Sequence, residues 1–254
     1  MAIPSSWARA DQSTCRIATS QWVADRYRQH GLRCDGVVTP GISSDLLDGP
    51  AAASPPDAPP RFLYVGRLEP NKRVEWLLHV LARLNNTGPV DARPDDTCHF
   101  EAGLDLTLPT LRLIGDGPSR ASCSMLAREL GLASRVELLG AVPPDGVTAE
   151  LRQADVFVFP SAYESFGIAA LEALAVGLPV VASDLDALRE ATGGHAVLVP
   201  VDDLSAWCDA LRRLLSDPAF RETQSAAGRA WAAQFTWDRV VDRFEPHVLA
   251  AAAH

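Results

Sequence analysis

From Arg61 onward, six short apolar runs alternate with segments of helical periodicity, and this alternation restricts the fold more than any other property of the chain. The runs are Phe62–Val65, Leu111–Ile114, Val136–Leu139, Val156–Phe159, Val180–Ala182 and Ala196–Val199. Short apolar strands with helices between them are buried on both faces, which predicts an α/β fold with a Rossmann-like, doubly wound parallel sheet. The intervening segments agree. Val74, Leu77, Leu78 and Leu81 fall at i, i+3, i+4 and i+7, and Leu204, Trp207, Leu211 and Leu214 line one face of another helix. Pro118 marks a helix start and Gly131 a helix end.

The segment before Arg61 reads differently. Cys15–Ser20 has strand character, Gln21–His30 is helical and closed by Gly31, and Cys34–Thr39 is a second strand. Residues 1–50 are thus expected to form a small βαβ piece, joined by an Ala/Pro-rich linker at 51–60 to the Rossmann-like unit at 61–235. Residues 236–254 follow as a helix, in which Trp237, Val240, Val241, Phe244 and Val248 share a face and Pro246 is expected to kink or end the run. An isolated two-stranded piece is marginal in water, so 1–50 is expected to be mobile, repacked or paired, and the apolar tail uncovered. The polar stretch 85–110 is long for a connection and reads as a solvated segment, although its Asp95, Asp96, Cys98, His99 and Glu101 could be drawn as metal ligands.

Charge and cysteine usage narrow the partners. With 23 Lys plus Arg against 32 Asp plus Glu, the net charge is −9, so nucleic acid and anionic membranes are poor partners. The longest mostly apolar stretch, Phe166 to Ala182, is broken by Glu172, Gly177 and Pro179, so no transmembrane segment is expected. The start has neither a basic region nor an apolar one resembling a signal peptide, and the five cysteines are scattered. A cytoplasmic location with reduced thiols is the expectation.

Two constellations can carry chemistry. Phe62–Val65 runs into Gly66-Arg67-Leu68-Glu69-Pro70-Asn71-Lys72 at the expected start of a helix, where an open α/β sheet presents its carboxyl ends to ligands. Arg67 can grip a phosphate with its forked donors, Lys72 adds a point charge, and Gly66 lets backbone approach closely. Two solvated cations on a loop would leave the same spacing. The second constellation, Glu164-Ser165-Phe166-Gly167-Ile168 leading to Glu172, follows strand Val156–Phe159 and opens another helix. Free amides and the helix dipole there favour a diphosphate, and two flanking carboxylates most naturally hold hydroxyls. A sugar nucleotide offers both. The plainer alternative makes Glu164 a dipole partner and Glu172 a solvated helix residue.

At these residues the chain resembles the retaining glycosyltransferases of family 4, whose GT-B fold sets two Rossmann-like domains face to face. The resemblance rests on Gly-Arg-Leu-x-x-x-Lys at 66–72, the Gly115-Asp116-Gly117-Pro118 turn, Leu139-Gly140-x-Val142, and the Glu164-x7-Glu172 element followed by Gly-Leu-Pro-Val-Val. It covers roughly Arg61 to Phe235. It implies transfer of a sugar from a nucleotide diphosphate sugar to an acceptor of unknown identity, with no cofactor and no metal. Arg67, Lys72 and Glu164 take catalytic roles: the two cations bind the donor diphosphate and Glu164 contacts donor-sugar hydroxyls. Glu172 holds the ribose and the backbone near Val142 meets the base. Gly66, Gly115, Asp116, Gly117, Ser165, Phe166, Gly167 and Ile168 complete the donor-binding set.

The resemblance also exposes a deficit. A complete member carries an N-terminal acceptor domain of comparable size, and residues 1–50 look like only its last βαβ portion, with 236–254 as the helix that crosses back to it. A truncated chain, a partner chain supplying the acceptor domain, and a non-catalytic nucleotide-sugar-binding relic all fit. Other classes fit worse: Gly115-Asp116-Gly117 lacks the third glycine of a dinucleotide fingerprint, and neither a phosphate-binding Gly-x4-Gly-Lys loop nor a Gly-x-Ser-x-Gly elbow is present.

Overall fold

A computed structural model describes residues 15–50, 52, 58–85 and 108–252. Its main sheet has six parallel strands: β3 (Arg61–Val65), β4 (Thr110–Ile114), β5 (Val136–Gly140), β6 (Val156–Phe159), β7 (Val180–Ser183) and β8 (Val197–Val199). Each expected run is a strand, and the order β5-β4-β3-β6-β7-β8 makes the sheet doubly wound, with its direction of winding reversing between β3 and β6. That reversal opens a crevice at the carboxyl ends of these two strands.

The alternation has its expected physical cause. All four residues of β6 and of β7 are buried, because helices cover both sheet faces. Leu77, Leu78 and Leu81 of α2 (Val74–Leu84), Leu171 and Leu174 of α5 (Ile168–Ala175), and Trp207, Leu211 and Leu214 of α7 (Leu204–Ser216) complete the core. The outer helices are α3 (Arg120–Glu129), α4 (Pro144–Gln153), α6 (Asp186–Thr192) and α8 (Pro218–Ala232). Gly131 ends α3 with φ +70°, the left-handed turn expected there. Pro118 lies two residues before the helix it was expected to open.

The N-terminal piece is β1 (Ile17–Ala18), α1 (Gln21–Gln29) and β2 (Gly36–Val37), with β1 and β2 parallel. It is docked on the sheet unit. Ser20 is fully buried; its Oγ accepts from the Val23 amide at 3.1 Å and donates to the Ser165 carbonyl at 2.7 Å. The Glu190 carboxylate of α6 accepts the first amides of α1, Gln21 at 2.7 Å and Trp22 at 3.3 Å. Arg152 donates to the carbonyls of Asp45 and Pro50, and Arg229 to those of Leu47 and Gly49. So the described residues of the N-terminal segment pack against the neighbouring unit, and two arginines hold the backbone of residues 45–50.

The last helix, α9, spans Trp237–Ala252 and does not end at Pro246. Pro246 and Asp242 are both exposed, so the Asp242 carbonyl left without an amide partner faces water. A parallel bridge joins Ile42 to Thr236 just ahead of the helix. Trp237 packs against Gly41, and the His247 ring occupies the space beside Gly36, where a Cβ would sit 2.2 Å from it. Trp237, Val241, Phe244, Val248 and Leu249 remain exposed. The possible ligand residues Asp95, Asp96, Cys98, His99 and Glu101 lie outside the described residues.

Candidate functional site

The turn that follows β3 is built backbone to backbone. The Gly66 amide donates to the Ile114 carbonyl at 3.0 Å, Leu68 to Asp116 at 2.9 Å, and Ser119 back to Leu68 at 2.8 Å. This interlock explains Gly115: at φ +127°, a Cβ there would stand 1.9 Å from the Gly66 carbonyl oxygen. A Cβ at Gly117 would likewise stand 2.4 Å from the Leu68 oxygen, and the Asp116 carboxylate accepts from the Gly117 amide at 2.8 Å. Tyr64, buried in β3, donates its hydroxyl to the Arg67 carbonyl at 2.9 Å. Burial, reinforced by the Glu164 charge, raises its pKa well above the usual phenol range and keeps it a donor.

Lys72 lies in a 3-10 turn, Pro70–Lys72, and not in the first turn of a helix as the sequence suggests. Arg73 separates that turn from α2 in a left-handed conformation, φ 52° and ψ 38°, a strain of about 1 kcal/mol or more for a residue with a Cβ. Arg73 is held by an ion pair to Asp202 at 2.5 Å and lies over the Trp76 ring.

The turn after β6 meets this loop directly. The Ala162 amide donates to the Asn71 carbonyl at 2.8 Å. The Lys72 Nζ is 2.6 Å from Glu164 Oε1, and Ser161 Oγ donates to the same oxygen at 2.7 Å. The two charged side chains are 18% and 8% exposed, and the Lys72 ammonium also lies 5.7 Å from the Phe159 ring centroid. The sequence assigned Lys72 to phosphate and Glu164 to sugar hydroxyls; the structure adds that they contact each other. Arg67 is not part of that contact. Its side chain is 76% exposed and pairs with Glu69 at 2.8 Å, which leaves the guanidinium at the crevice mouth.

Beyond Glu164, Ser165 and Phe166 lead to Gly167, which precedes α5 with φ +104° and provides no side-chain cap for the helix amides. A Cβ at Gly167 would meet the Leu188 side chain at 2.4 Å and displace it, and the positive φ itself favours glycine. Ile168 opens α5, and Glu172 follows one turn later. Burial alone raises the Glu172 carboxyl above its ordinary 4.5. Val142, past the end of β5, is half-buried and packs on the main core. Sequence reasoning missed Tyr64, Ser161, Ser20 and Glu190. Tyr64 read only as strand core, Ser161 carried a signal in its i−3 spacing from Glu164, and the other two act across long sequence separations that no local pattern reveals.

The comparisons agree with this architecture. The profile of the family described as "Glycosyl transferases group 1" matches residues 59–217. The phosphatidyl-myo-inositol mannosyltransferase of Mycobacterium leprae is 35% identical over 236 residues, 90% of this chain and 57% of that protein. The D-inositol 3-phosphate glycosyltransferase of Corynebacterium diphtheriae is 34% identical over 189 residues, 72% of this chain and 40% of that one. The chain therefore spans between two-fifths and three-fifths of the length of these relatives. Among solved structures, sucrose-phosphate synthase from Thermosynechococcus elongatus superposes with a TM-score of 0.77 at 26% identity, over 97% of this chain and 61% of that one. Anabaena Alr3699/HepE in complex with UDP-glucose shares the fold, with a TM-score of 0.75 at 21% identity over 96% and 65% of the two chains. With more than half its residues matched by the family profile, and with the parallel sheet and its crevice in place, the chain belongs to the glycosyl transferases group 1 family.

Proposed function

We propose that this chain binds a nucleotide diphosphate sugar and forms the donor half of a retaining glycosyltransferase. The observation that carries the reading is the Lys72–Glu164 contact at the strand-reversal crevice, 2.6 Å long, beside a helix start without a side-chain cap. A cation, a carboxylate and uncapped amides there match the charges and hydroxyls of a sugar diphosphate. Arg67 at the mouth adds a forked donor for the same phosphates, and Glu172 meets the ribose.

In this reading an acceptor hydroxyl attacks the anomeric carbon from the face that the diphosphate leaves. The new oxygen–carbon bond forms as the carbon–phosphate oxygen bond breaks, and the departing phosphate oxygen takes the acceptor proton. The protein's task is to meet the charge growing on the diphosphate, which falls to Arg67, Lys72 and the α5 amides. Glu164 would exchange its bond with Lys72 for hydroxyls of the sugar, which frees the ammonium toward phosphate.

Paired titrations test the division of labour. Arg67→Ala is expected to weaken UDP far more than uridine, whereas Glu172→Ala weakens both, because one side chain reads phosphate and the other ribose. Equal losses for both ligands in both variants would overturn the assignment.

A further inference from the structure

A cleft of about 300 Å³ opens between α1 and the carboxyl ends of β6 and β7, lined by Trp22, Arg26, Tyr163, Glu164, Asp184 and Asp186 among others. It is not the β3–β6 crevice. Asp184 and Asp186 follow β7, and β6 stands between that strand and β3, from which Lys72 comes. The turn after β6 borders both regions, and Glu164 is the charged residue they share.

The lining has a definite chemistry. Trp22 and Tyr163 meet edge to face with ring centroids 5.3 Å apart, and Tyr163 is 52% exposed, so an aromatic surface is offered to the cleft. The charges cancel. Glu164 is matched by Lys72 at 2.6 Å and Asp184 by Arg189 at 2.6 Å, while Asp186 is matched in sign by Arg26, whose guanidinium lies 5.2 Å from the Trp22 ring centroid. A phosphate would find no surplus cation here, an amine no surplus carboxylate, and a hydrocarbon would strand the polar rim. Hydroxyls donating to carboxylates, with C–H faces against the aromatic rings, satisfy the whole lining. The volume, at the small end of ligand sites, suits one ring and not a chain of them.

We infer that this cleft is a subsite for one neutral, hydroxyl-rich ring of the acceptor, held across Glu164 from the donor diphosphate. The inference rests on the donor reading above for its role, and on the cleft itself for its ligand class. Trp22, Arg26, Tyr163 and Asp186 are then specificity residues supplied jointly by the N-terminal segment and the sheet unit. The Ser20–Ser165 and Glu190–α1 hydrogen bonds keep the two walls together.

The test uses the full chain, ¹⁵N-labelled and saturated with UDP, titrated separately with methyl α-D-glucopyranoside and myo-inositol while the Trp22 indole resonance is followed, its assignment made with Trp22→Phe. At least one ring is expected to shift that resonance saturably at millimolar concentration with UDP still bound. Asp186→Asn and Tyr163→Ala, both at exposed positions, are expected to weaken the ring roughly tenfold or more and leave the UDP affinity unchanged. Three results would overturn the inference: no saturable shift with either ring, tighter binding of inorganic phosphate at the same resonance, or a shift untouched by both variants. Displacement of the ring by UDP-glucose but not by UDP would also overturn it, assigning the cleft to the donor hexose. Should UDP itself fail to bind, the donor reading falls, and the ring titration on nucleotide-free protein still decides the cleft.

Discussion

Replacing Lys72 by methionine isolates the contact at the centre of the site. Methionine keeps an unbranched, polarisable chain against the Phe159 ring, which lies 5.7 Å from the present ammonium, and removes only the charge. Glu164, 8% exposed, is left with the Ser161 hydroxyl as its remaining side-chain donor among the described contacts. Breaking a buried ion pair by deleting one partner costs about 3–5 kcal/mol, and the partial exposure of Lys72 sets the expectation at the lower end, about 3 kcal/mol. In a chain of this size that lowers the melting temperature by roughly 6–12 °C. Glu164→Gln in the same background removes the stranded charge, so the double variant should return to within about 1 kcal/mol of the parent. Denaturant melts of the four proteins give the cycle directly. A single variant within about 0.5 kcal/mol of the parent, or losses that simply add, would refute the view that the pair is buried and mutually dependent.

Glu172 has a pH signature. Its carboxyl is raised above 4.5 by burial, so folding favours the protonated form; that contribution is complete below the unfolded value and is lost as pH rises through the folded one. Glu172→Gln should therefore raise the melting temperature of nucleotide-free protein at about pH 7, with the gain fading as pH falls toward 4.5; melting curves that differ equally at every pH would contradict this. Gly115→Ala should cost about 2 kcal/mol or more, because its Cβ would lie 1.9 Å from the Gly66 oxygen. Gly131→Ala, at φ +70° with nothing within 4 Å of the new carbon, should cost only about 1 kcal/mol, and comparable losses at both sites by denaturant titration would deny the interlock of the two turns. Finally, the chain alone is expected to transfer sugar no faster than it slowly hydrolyses donor, since a subsite for one ring leaves the attacking hydroxyl without full orientation, which contributes on the order of 7–11 kcal/mol in the best model systems; rapid acceptor-dependent transfer by the purified chain would refute this.

The sheet was legible in the sequence because strands covered on both faces have to be apolar throughout, as the four buried residues of β6 and of β7 are. Their spacing by helical segments fixed parallel pairing, and the family was legible from four short elements in order. Local periodicity says less about how turns are wound. The Lys72 turn is 3-10, and its link to α2 is a left-handed Arg73 that no propensity favours. Helix α9 passes Pro246 because the freed carbonyl is at the surface, and exposure is not written in a single residue. The Lys72–Glu164 contact joins positions 92 residues apart. Each residue could be singled out by chemistry, but their pairing depends on which strands the fold sets side by side.

The central claim is that residues of this chain alone compose a donor nucleotide site, and direct binding tests it most simply. Scanning fluorimetry and calorimetric titration with UDP, GDP and ADP should find at least one that binds, and at 100 times its dissociation constant that ligand should add about 2.7 kcal/mol of stability, roughly 5–11 °C in melting temperature. A folded chain whose melting temperature moves with none of the three would contradict the account.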